Sequence, residues 1–426
     1  MDAWAVSLPA VRRFVGRSIG GYHSFWKATG CRMRMTVNAL DPHRRRYAGI
    51  EAARAVAAIA VVISHVALIT AEPRYFGVMP FNGVLKPLAA GVDFFFVLSG
   101  FIITTVHWND IGYPDRLGRY ARRRFLRIFP LFWTVLVPLI VIYQIRPSFG
   151  IPSQHALSNV ILSFFLLPNP DMPVLGVAWT LTYEVFFYLM FGLGIAFGRN
   201  WIKVLVAWGV AIITANLACP DMGFPFSFFL NVRNLEFLTG VACALYLRAH
   251  TTPWPAAVLA AGIAAFAAGV AFVPDITDPQ QVQEVFTLVF GSASALTLLG
   301  LIGVERAGWF KLCEPAFIAA GACSYAIYLA HPVADSIFVR AAMWFSHRLS
   351  IETIAIGLSV VCVGCGVATH YLLEQPVTSF AKHALDHIAA FAGRRSRAIA
   401  KRRKVQKEGP SDWATQEPPA TGYLKP

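Results

Sequence analysis

Long apolar runs alternate with short polar stretches along most of this 426-residue chain. An α-helix rises about 1.5 Å per residue, so roughly 20 apolar residues cross the ~30 Å hydrocarbon core of a bilayer. Ten runs approach this length: residues 48–69, 88–107, 128–145, 178–197, 202–217, 228–247, 255–273, 285–303, 315–338 and 352–373. The pattern predicts an all-α fold, a polytopic membrane helical bundle of about ten transmembrane helices.

One apolar stretch within residues 147–177 is too short to span. Its sequence "SNVILSFFLLPNPDMPV" is interrupted by Pro168, Pro170 and Pro173. Because proline stops a helix and the apolar run is brief, we expect a re-entrant or interfacial segment here.

Composition supports a membrane location, since 56% of residues are hydrophobic and only 14% are charged. The net charge of +14 does not indicate a nucleic-acid partner, because the basic residues lie between apolar runs and at the two ends. Basic loops fall alternately on one side, whereas "PDITDPQQVQE", with Asp275 and Asp278, falls on the other. The positive-inside rule therefore predicts that both termini are cytoplasmic.

Three regions are expected along the chain. Residues 1–46 form a basic cytoplasmic segment without the apolar core and small-residue cleavage site of a signal peptide, and Met33 or Met35 is an alternative start. Residues 47–376 form the membrane domain. Residues 377–426 form a cytoplasmic tail that is first basic and then, after Lys407, polar, proline-rich and disordered.

The first span, "EAARAVAAIAVVISHVAL", contains Arg54 and His65, eleven residues apart. Eleven helical steps make three turns plus ~20°, so the two side chains share a face and lie ~16 Å apart along the axis. Snorkelling explains Arg54 alone, and a core hydrogen bond explains His65 alone. Their shared face favours a joint role, with Arg54 near the cytoplasmic end and His65 near the outer end.

Asp93 opens the second span in "GVDFFFVLSGFIIT". In the structural interpretation it is a helix cap or an interfacial residue. In the functional interpretation it orients His65, or balances a cation, near the outer face.

Arg124 and Arg127 precede the third span in "YARRRFLRIFPLFW". Such a charge run commonly anchors a span on the cytoplasmic side. Composition alone favours that anchoring role, but two guanidinium groups one helical turn apart also suit bidentate binding of phosphate oxygens, so this is the expected place if a phosphorylated donor docks on the cytoplasmic face.

Further polar side chains lie inside later spans. Glu184 lies one to two turns inside the fourth span, as a second outer-side carboxylate. In "ACSYAIYLAHPV", Tyr325, Tyr328 and His331 follow one face of the ninth span, and Pro332 is expected to open a new helix. A stripe of two phenols and an imidazole is costly to expose to lipid, so we expect it to line the same cavity.

Other polar pairs favour structural roles. Arg233 and Glu236, at i and i+3 in the sixth span, predict an ion pair, and Cys362 and Cys365 predict close helix packing. The chain lacks the motifs for a zinc site, a serine hydrolase or a P-loop. No metal is therefore expected.

At these residues the chain resembles the acyltransferase-3 family of integral membrane acyltransferases. The family's arginine–histidine pair is matched by Arg54 and His65, its second-span pattern by "GVDFFFVLSGFII", and its R-x-x-R-I pattern by Arg124 to Ile128. Its W-S-L-x-x-E pattern is matched by "WTLTYE", where Thr180 replaces serine, and its last two patterns resemble "SYAIYLAHP" and "LLEQP". The resemblance runs from about residue 47 to 376.

The resemblance implies O-acyl transfer, usually of acetyl, from cytoplasmic acetyl-coenzyme A to a hydroxyl of a carbohydrate or glycolipid acceptor. The chain is similar to the short members, without the extracytoplasmic hydrolase-like domain, that acetylate exopolysaccharide or lipid-linked saccharides in bacteria. This implies a multi-pass protein of the inner (plasma) membrane, in contact with membrane lipids.

In the expected mechanism, the coenzyme A phosphates bind Arg124 and Arg127. The pantetheine arm passes Arg54 and brings the thioester towards His65.

His65 then acts as general base on the acceptor hydroxyl, while Asp93 orients its ring. A transient acyl-histidine is the open alternative. Tyr328 and His331 donate hydrogen bonds to the thioester oxyanion or to the sugar, and Glu184 contributes to substrate binding.

A proton-coupled secondary transporter of a lipid or saccharide is the rival hypothesis, because intramembrane ionisable residues also suit transport. An inverted repeat should then relate the two halves of the chain. The motifs of spans one to four have no counterpart in spans six to ten, which favours the enzyme.

Overall fold

The computed structural model describes residues 47–408, except 147, 199, 220, 273–278, 311–312 and 346–347. Within these residues all regular structure is helical, and ten helical segments are long and apolar enough to cross a membrane. This confirms the predicted fold class. Their helices are α1 (Ala48–Ala71), α2 (Gly91–His107), α3 (Leu117–Ile145), α4 (Ala178–Phe197), α5 (Trp201–Ala218), α6 (Asn234–Ala249), α7 (Pro255–Phe272), α8 (Pro279–Arg306), α9 (Glu314–Ala342) and α10 (Ile351–Thr369).

The structure corrects two predictions about helix boundaries, one in the third helix and one in the ninth. The third begins at Leu117 rather than at residue 128, so the arginine run is helical and not a loop. Arginine is a good helix former, and buried Tyr120 ties this first part of α3 to α4 by donating its hydroxyl hydrogen to the Tyr188 carbonyl at 2.9 Å. Pro332 opens no new helix, which corrects the prediction, because α9 continues through it to Ala342.

The segment predicted not to span contains two short helices, Pro152–His155 and Leu157–Phe164, which confirms that prediction. Side-chain amides from these short helices bind backbone carbonyls near the end of the same segment. Gln154 Nε2 donates to the Pro173 carbonyl at 2.9 Å, and Asn159 Nδ2 donates to the Met172 carbonyl at 2.9 Å. These bonds satisfy backbone carbonyls that lipid would leave unpaired.

After α10, a π-turn at His370–Glu374 leads into α11 (Gln375–Glu408), so the basic part of the tail is helical within the described residues. The N-terminal segment 1–46, the last residues 409–426, and the loop with Asp275 and Asp278 lie outside the described residues.

Close packing between helices depends on small residues, as is common in membranes. A Cβ atom on Gly100 of α2 would meet the Phe237 carbonyl of α6, and one on Gly240 of α6 would meet the Val97 carbonyl of α2. The backbones of α2 and α6 are therefore in direct contact at these two glycines.

Candidate active site

A cavity of about 450 Å³ lies between α1, α2, α3, α4 and α9. Predicted site residues that line it are Arg54, Arg124, Arg127, Glu184 and Tyr328. The other predicted site residues, His65, Asp93 and His331, are not in its lining. The sequence motifs thus converge on one cavity, but the histidines lie beyond it.

The mouth of the cavity is formed by α3. Arg123 is exposed and also lines the cavity, so the cavity reaches the molecular surface at this end. Arg124 lies with its guanidinium carbon 5.4 Å from the ring centroid of Tyr188, and its Nε is buried without a hydrogen-bond partner. A stacked guanidinium keeps the N–H groups at its edge available for an anion.

A histidine that the sequence did not single out positions Arg124. His107 Nδ1 lies 2.8 Å from Asp110 Oδ2, and since a carboxylate oxygen accepts, this nitrogen carries the hydrogen. The His107 Nε2 atom is then the acceptor for Arg124 Nη2 at 3.5 Å. His107 is the last residue of α2 and lies outside every recognised motif. Its contact with Arg124 therefore becomes visible only when α2 is packed against α3.

Arg127 is held by different neighbours. Its guanidinium carbon lies 5.1 Å from the Tyr325 ring centroid, and its Nη1 lies 3.8 Å from Glu374 Oε1. The Tyr325 hydroxyl in turn donates to the Ile128 carbonyl at 2.8 Å. Arg127 is therefore anchored to α9 and to the π-turn, one helical turn deeper than Arg124.

The middle of the cavity carries mixed charge. Arg54 Nη1 pairs with Glu51 Oε2 at 2.8 Å, and the Glu184 Oε1 atom accepts from Ser99 Oγ at 3.0 Å and from the Tyr188 hydroxyl at 2.5 Å. Glu51 was not predicted, although its place three residues before Arg54 is the spacing of a helical ion pair.

Four arginines and two glutamates line the cavity, so its net charge is positive. A positive, partly enclosed cavity attracts an anionic ligand, and guanidinium groups favour phosphate oxygens.

Tyr328 closes the far end. Its hydroxyl forms a 2.7 Å hydrogen bond with Thr180 Oγ1 and donates to the Val177 carbonyl at 3.2 Å. Phe95 packs edge-on against the phenol, with ring centroids 6.2 Å apart. Thr180 thus replaces the family's serine without losing the hydroxyl that the contact needs.

The two histidines lie directly behind Tyr328. The ring centroids of His65 and His331 are 4.9 Å apart, and those of Tyr328 and His331 are 5.8 Å apart. His65 Nδ1 lies 2.9 Å from the Val61 carbonyl, and His331 Nδ1 lies 3.3 Å from the Ile327 carbonyl. A carbonyl only accepts, so Nδ1 carries the hydrogen in both rings and Nε2 holds the basic lone pair.

Pro332 explains part of this arrangement. Proline has no N–H, so the Tyr328 carbonyl four residues earlier loses its helical donor. The His331 side chain contacts this carbonyl as well as that of Ile327. The His331 Nε2 atom remains fully buried without a hydrogen-bond partner.

Asp93 belongs to a different cluster. Its Oδ1 lies 3.8 Å from Arg233 Nη1, and its carboxyl group contacts that of Glu236. The Arg233 guanidinium carbon lies 5.0 Å from the Trp179 ring centroid. The structure therefore pairs Asp93 with α6, whereas His65 is oriented by the Val61 carbonyl of its own helix.

In the part of the chain that the structure describes, no group of three or more His, Cys, Asp or Glu side chains is arranged to hold a metal ion. Cys362 donates its Sγ hydrogen to Asp335 Oδ1 at 2.7 Å, which links α10 to α9.

Comparison with protein families finds a match to the acyltransferase domain model over residues 47–371. The chain is 27% identical over 303 residues to the exopolysaccharide production protein ExoZ of Rhizobium meliloti, covering 68% of this chain and 89% of that protein. It is 26% identical over 385 residues to the acyltransferase MdmB of Streptomyces mycarofaciens, covering 79% and 93%.

A shorter match, 29% identical over 182 residues, is to the peptidoglycan O-acetyltransferase OatA of Listeria monocytogenes, and it covers 38% of this chain and 26% of that protein. No solved structure matches the chain.

Proposed function

The chain belongs to the acyltransferase-3 family of membrane acyltransferases, and on that premise we propose that it moves an acetyl group from acetyl-coenzyme A to a hydroxyl of a carbohydrate acceptor. The acceptor class is exopolysaccharide or a lipid-linked saccharide. The names of two relatives, one for exopolysaccharide production and one for peptidoglycan O-acetylation, support this choice. The protein is a multi-pass membrane enzyme, and we assign it to the inner membrane with both termini in the cytoplasm.

The observation that carries the proposal is the course of the cavity. It begins at the arginines of α3, of which Arg123 is exposed, passes Arg54, and ends at Tyr328, which contacts His331 of the histidine pair. In the proposed orientation the arginine end opens to the cytoplasm, where acetyl-coenzyme A is found. Its phosphates bind Arg124 and Arg127, and the pantetheine arm extends past Arg54 towards Tyr328.

His65 then acts as the general base. Its Nε2 takes the proton of the acceptor hydroxyl while that oxygen attacks the thioester carbonyl. The tetrahedral intermediate collapses as the C–S bond breaks, and the proton passes to the departing thiolate to give free coenzyme A. Tyr328 stabilises the oxyanion by donating its hydroxyl hydrogen, His331 orients the sugar by accepting a hydroxyl hydrogen at Nε2, and Glu184 binds substrate from the opposite wall.

Asp93 has an indirect part in this proposal. Its contacts with Arg233 and Glu236 hold α2 against α6, and α2 supplies Phe95 and Ser99 to the cavity wall. We propose that Asp93 positions this wall.

The test compares transfer of radiolabelled acetyl from acetyl-coenzyme A into membrane polysaccharide by the wild type, His65→Ala and His383→Ala at matched membrane abundance. His383 is an exposed histidine of α11 outside the cavity, so its variant is the matched control. We expect loss of label only with His65→Ala. A rapid acid quench should leave no label on the protein, because the general-base route forms no acyl-histidine.

Other outcomes would change the assignment. Acetyl transfer that survives His65→Ala would retain the assignment as an acetyltransferase but would show that His65 is not the general base. No transfer by the wild type, with a competent acceptor present, favours the transporter.

A further inference from the structure

Three helices end together at the face opposite the mouth of the cavity. Arg124 lies in the first half of α3, whereas α1, α3 and α9 all reach the other face at their C-terminal ends. There they bring together a set of side chains that we call the arginine–aromatic cluster: Arg74, Tyr75, Tyr143, Phe149 and Arg340. No predicted function uses these residues.

Cation–π contacts hold the cluster together. The Arg340 guanidinium carbon lies 5.8 Å from the Tyr75 ring centroid and 5.5 Å from that of Phe149. The Arg74 guanidinium carbon lies 5.0 Å from the same Tyr75 ring and close enough to Tyr143 for an electrostatic interaction. Phe149 is 42% exposed, so one aromatic face remains open to a ligand.

The positive charge of the cluster is only partly balanced. Arg74 pairs with Glu72 at 2.5 Å, but Arg340 is exposed and makes no ion pair with a carboxylate among the described residues. One Arg340 N–H donates to the Ser336 carbonyl. Stacking occupies the face of a guanidinium, so the other edge donors stay free for a carboxylate or phosphate.

The cluster is also close to the histidine pair. Tyr75 packs against the apolar cluster that contains Val66 and Ile327, the neighbours of His65 and of the turn before His331. Arg340 lies nine residues beyond His331 on α9, which is about 14 Å of helix. A saccharide a few units long would be sufficient to extend from Arg340 to the histidine pair.

Membrane anchoring is a poor explanation for Arg340. In the proposed orientation this end lies on the outer side of the membrane. The positive-inside rule predicts few arginines on that side. Snorkelling towards lipid headgroups would also leave the guanidinium beside lipid rather than over two aromatic rings from different segments.

We propose that the arginine–aromatic cluster binds a negatively charged saccharide acceptor. Arg340 pairs with a carboxylate or phosphate of the acceptor, and the rings of Tyr75 and Phe149 contact the apolar faces of its sugars. This inference rests on the proposed function, because it names the charge of the acceptor that the histidine pair acetylates.

The test measures acetyl transfer by the full chain in nanodiscs of zwitterionic lipid, with base-deacetylated polysaccharide from the envelope of the producing cell as acceptor. Arg340→Gln should raise the acceptor KM about tenfold or more, since a charged hydrogen bond is lost, and leave kcat within about twofold. Arg348→Gln, an exposed arginine at the same face outside the cluster, is the matched control and should match the wild type. Arg340→Lys should recover part of the affinity, and equal thermal stability of all three variants excludes misfolding.

Two acceptor derivatives identify the anionic group. Carboxyl reduction removes uronic-acid charge, and phosphatase treatment after mild acid removes a lipid-linked phosphate. The wild type should lose affinity for one derivative, and Arg340→Gln should bind native and derivatised acceptor equally.

Three results would overturn the inference. Wild-type activity with an unchanged Arg340→Gln KM removes the cluster from acceptor binding and leaves the proposed function intact. An Arg340→Gln defect seen only in nanodiscs with anionic lipid identifies a lipid site instead. No acetyl transfer by the wild type removes the proposed function and the inference with it.

Discussion

At the scale of single residues, Arg124 shows how a short motif becomes a binding group. Its ring and histidine contacts fix the guanidinium, and its buried Nε lacks a partner in the described structure. An unpaired buried donor is costly unless a ligand completes it. Acetyl-coenzyme A phosphate oxygens are the acceptors that we expect here.

Arg124→Gln should raise the KM for acetyl-coenzyme A by about 10- to 150-fold, because a hydrogen bond to a charged group contributes ~1.5–3 kcal/mol. Steady-state kinetics on purified enzyme measure this. Arg122→Gln is the control, since Arg122 lies on the same helix and pairs with Asp386 at 2.7 Å near the surface. Equal KM changes in both variants would refute a phosphate contact at Arg124.

The placement of side chains was predictable only where it depends on a single helix. Arg54 and His65 share a helix, so spacing alone put them on one face. Asp93 and Glu236 meet across two helices, and the sequence does not specify how α2 rotates against α6. His65 is oriented by a carbonyl of its own helix, a partner that every helical sequence offers equally.

At the scale of helices, the α2–α6 contact depends on two glycines. Helices in lipid gain little from apolar burial, so close backbone approach and dispersion hold them together. The pair also carries the Asp93–Arg233 contact, so its geometry decides the shape of the cavity wall.

Gly240→Ala should lower the thermal stability of the protein by several degrees, because its new Cβ meets the Val97 carbonyl and lies 2.8 Å from the Phe101 nitrogen. Overpacking of this kind costs ~1–3 kcal/mol. Gly357→Ala in α10 is the matched control, since its Cβ meets open space and alanine is the better helix former. Thermal unfolding in detergent compares them, and an equal effect of both would show that helix propensity rather than contact decides.

Helices themselves were well predicted, since length and hydropathy suffice to mark a span. The errors concerned the charged start of α3 and the proline inside α9. Arginines 122–127 extend α3 because they are good helix formers, and Pro332 is tolerated because a side chain takes over the contact with the freed carbonyl.

At the scale of the whole molecule, sidedness decides which end of the cavity meets the donor. Two exposed cysteines report it. Cys219 directly follows α5, and Cys313 directly precedes α9. The proposed orientation puts Cys219 outside and Cys313 in the cytoplasm.

A membrane-impermeant maleimide should therefore modify Cys219 but not Cys313 in intact spheroplasts, and the pattern should reverse in inside-out vesicles. Cys31→Ser is the background for all samples, and Cys219→Ser is the control that should abolish the signal from spheroplasts. Labelling of Cys313 from outside would show that the orientation is the reverse of the proposed one. The arginine end of the cavity would then open on the side of the membrane opposite to the cytoplasmic donor.

The contact between Thr180 and Tyr328 also concerns the electrical insulation of the membrane. An open, water-filled channel lined by arginines would leak ions and discharge the potential that powers the cell. In the proposed reaction Tyr328 lies between the coenzyme and the histidine pair, so the coenzyme would stay on the cytoplasmic side and only the acetyl carbonyl would pass the phenol. On this proposal the enzyme would deliver a chemical group across a membrane that stays closed to ion flow.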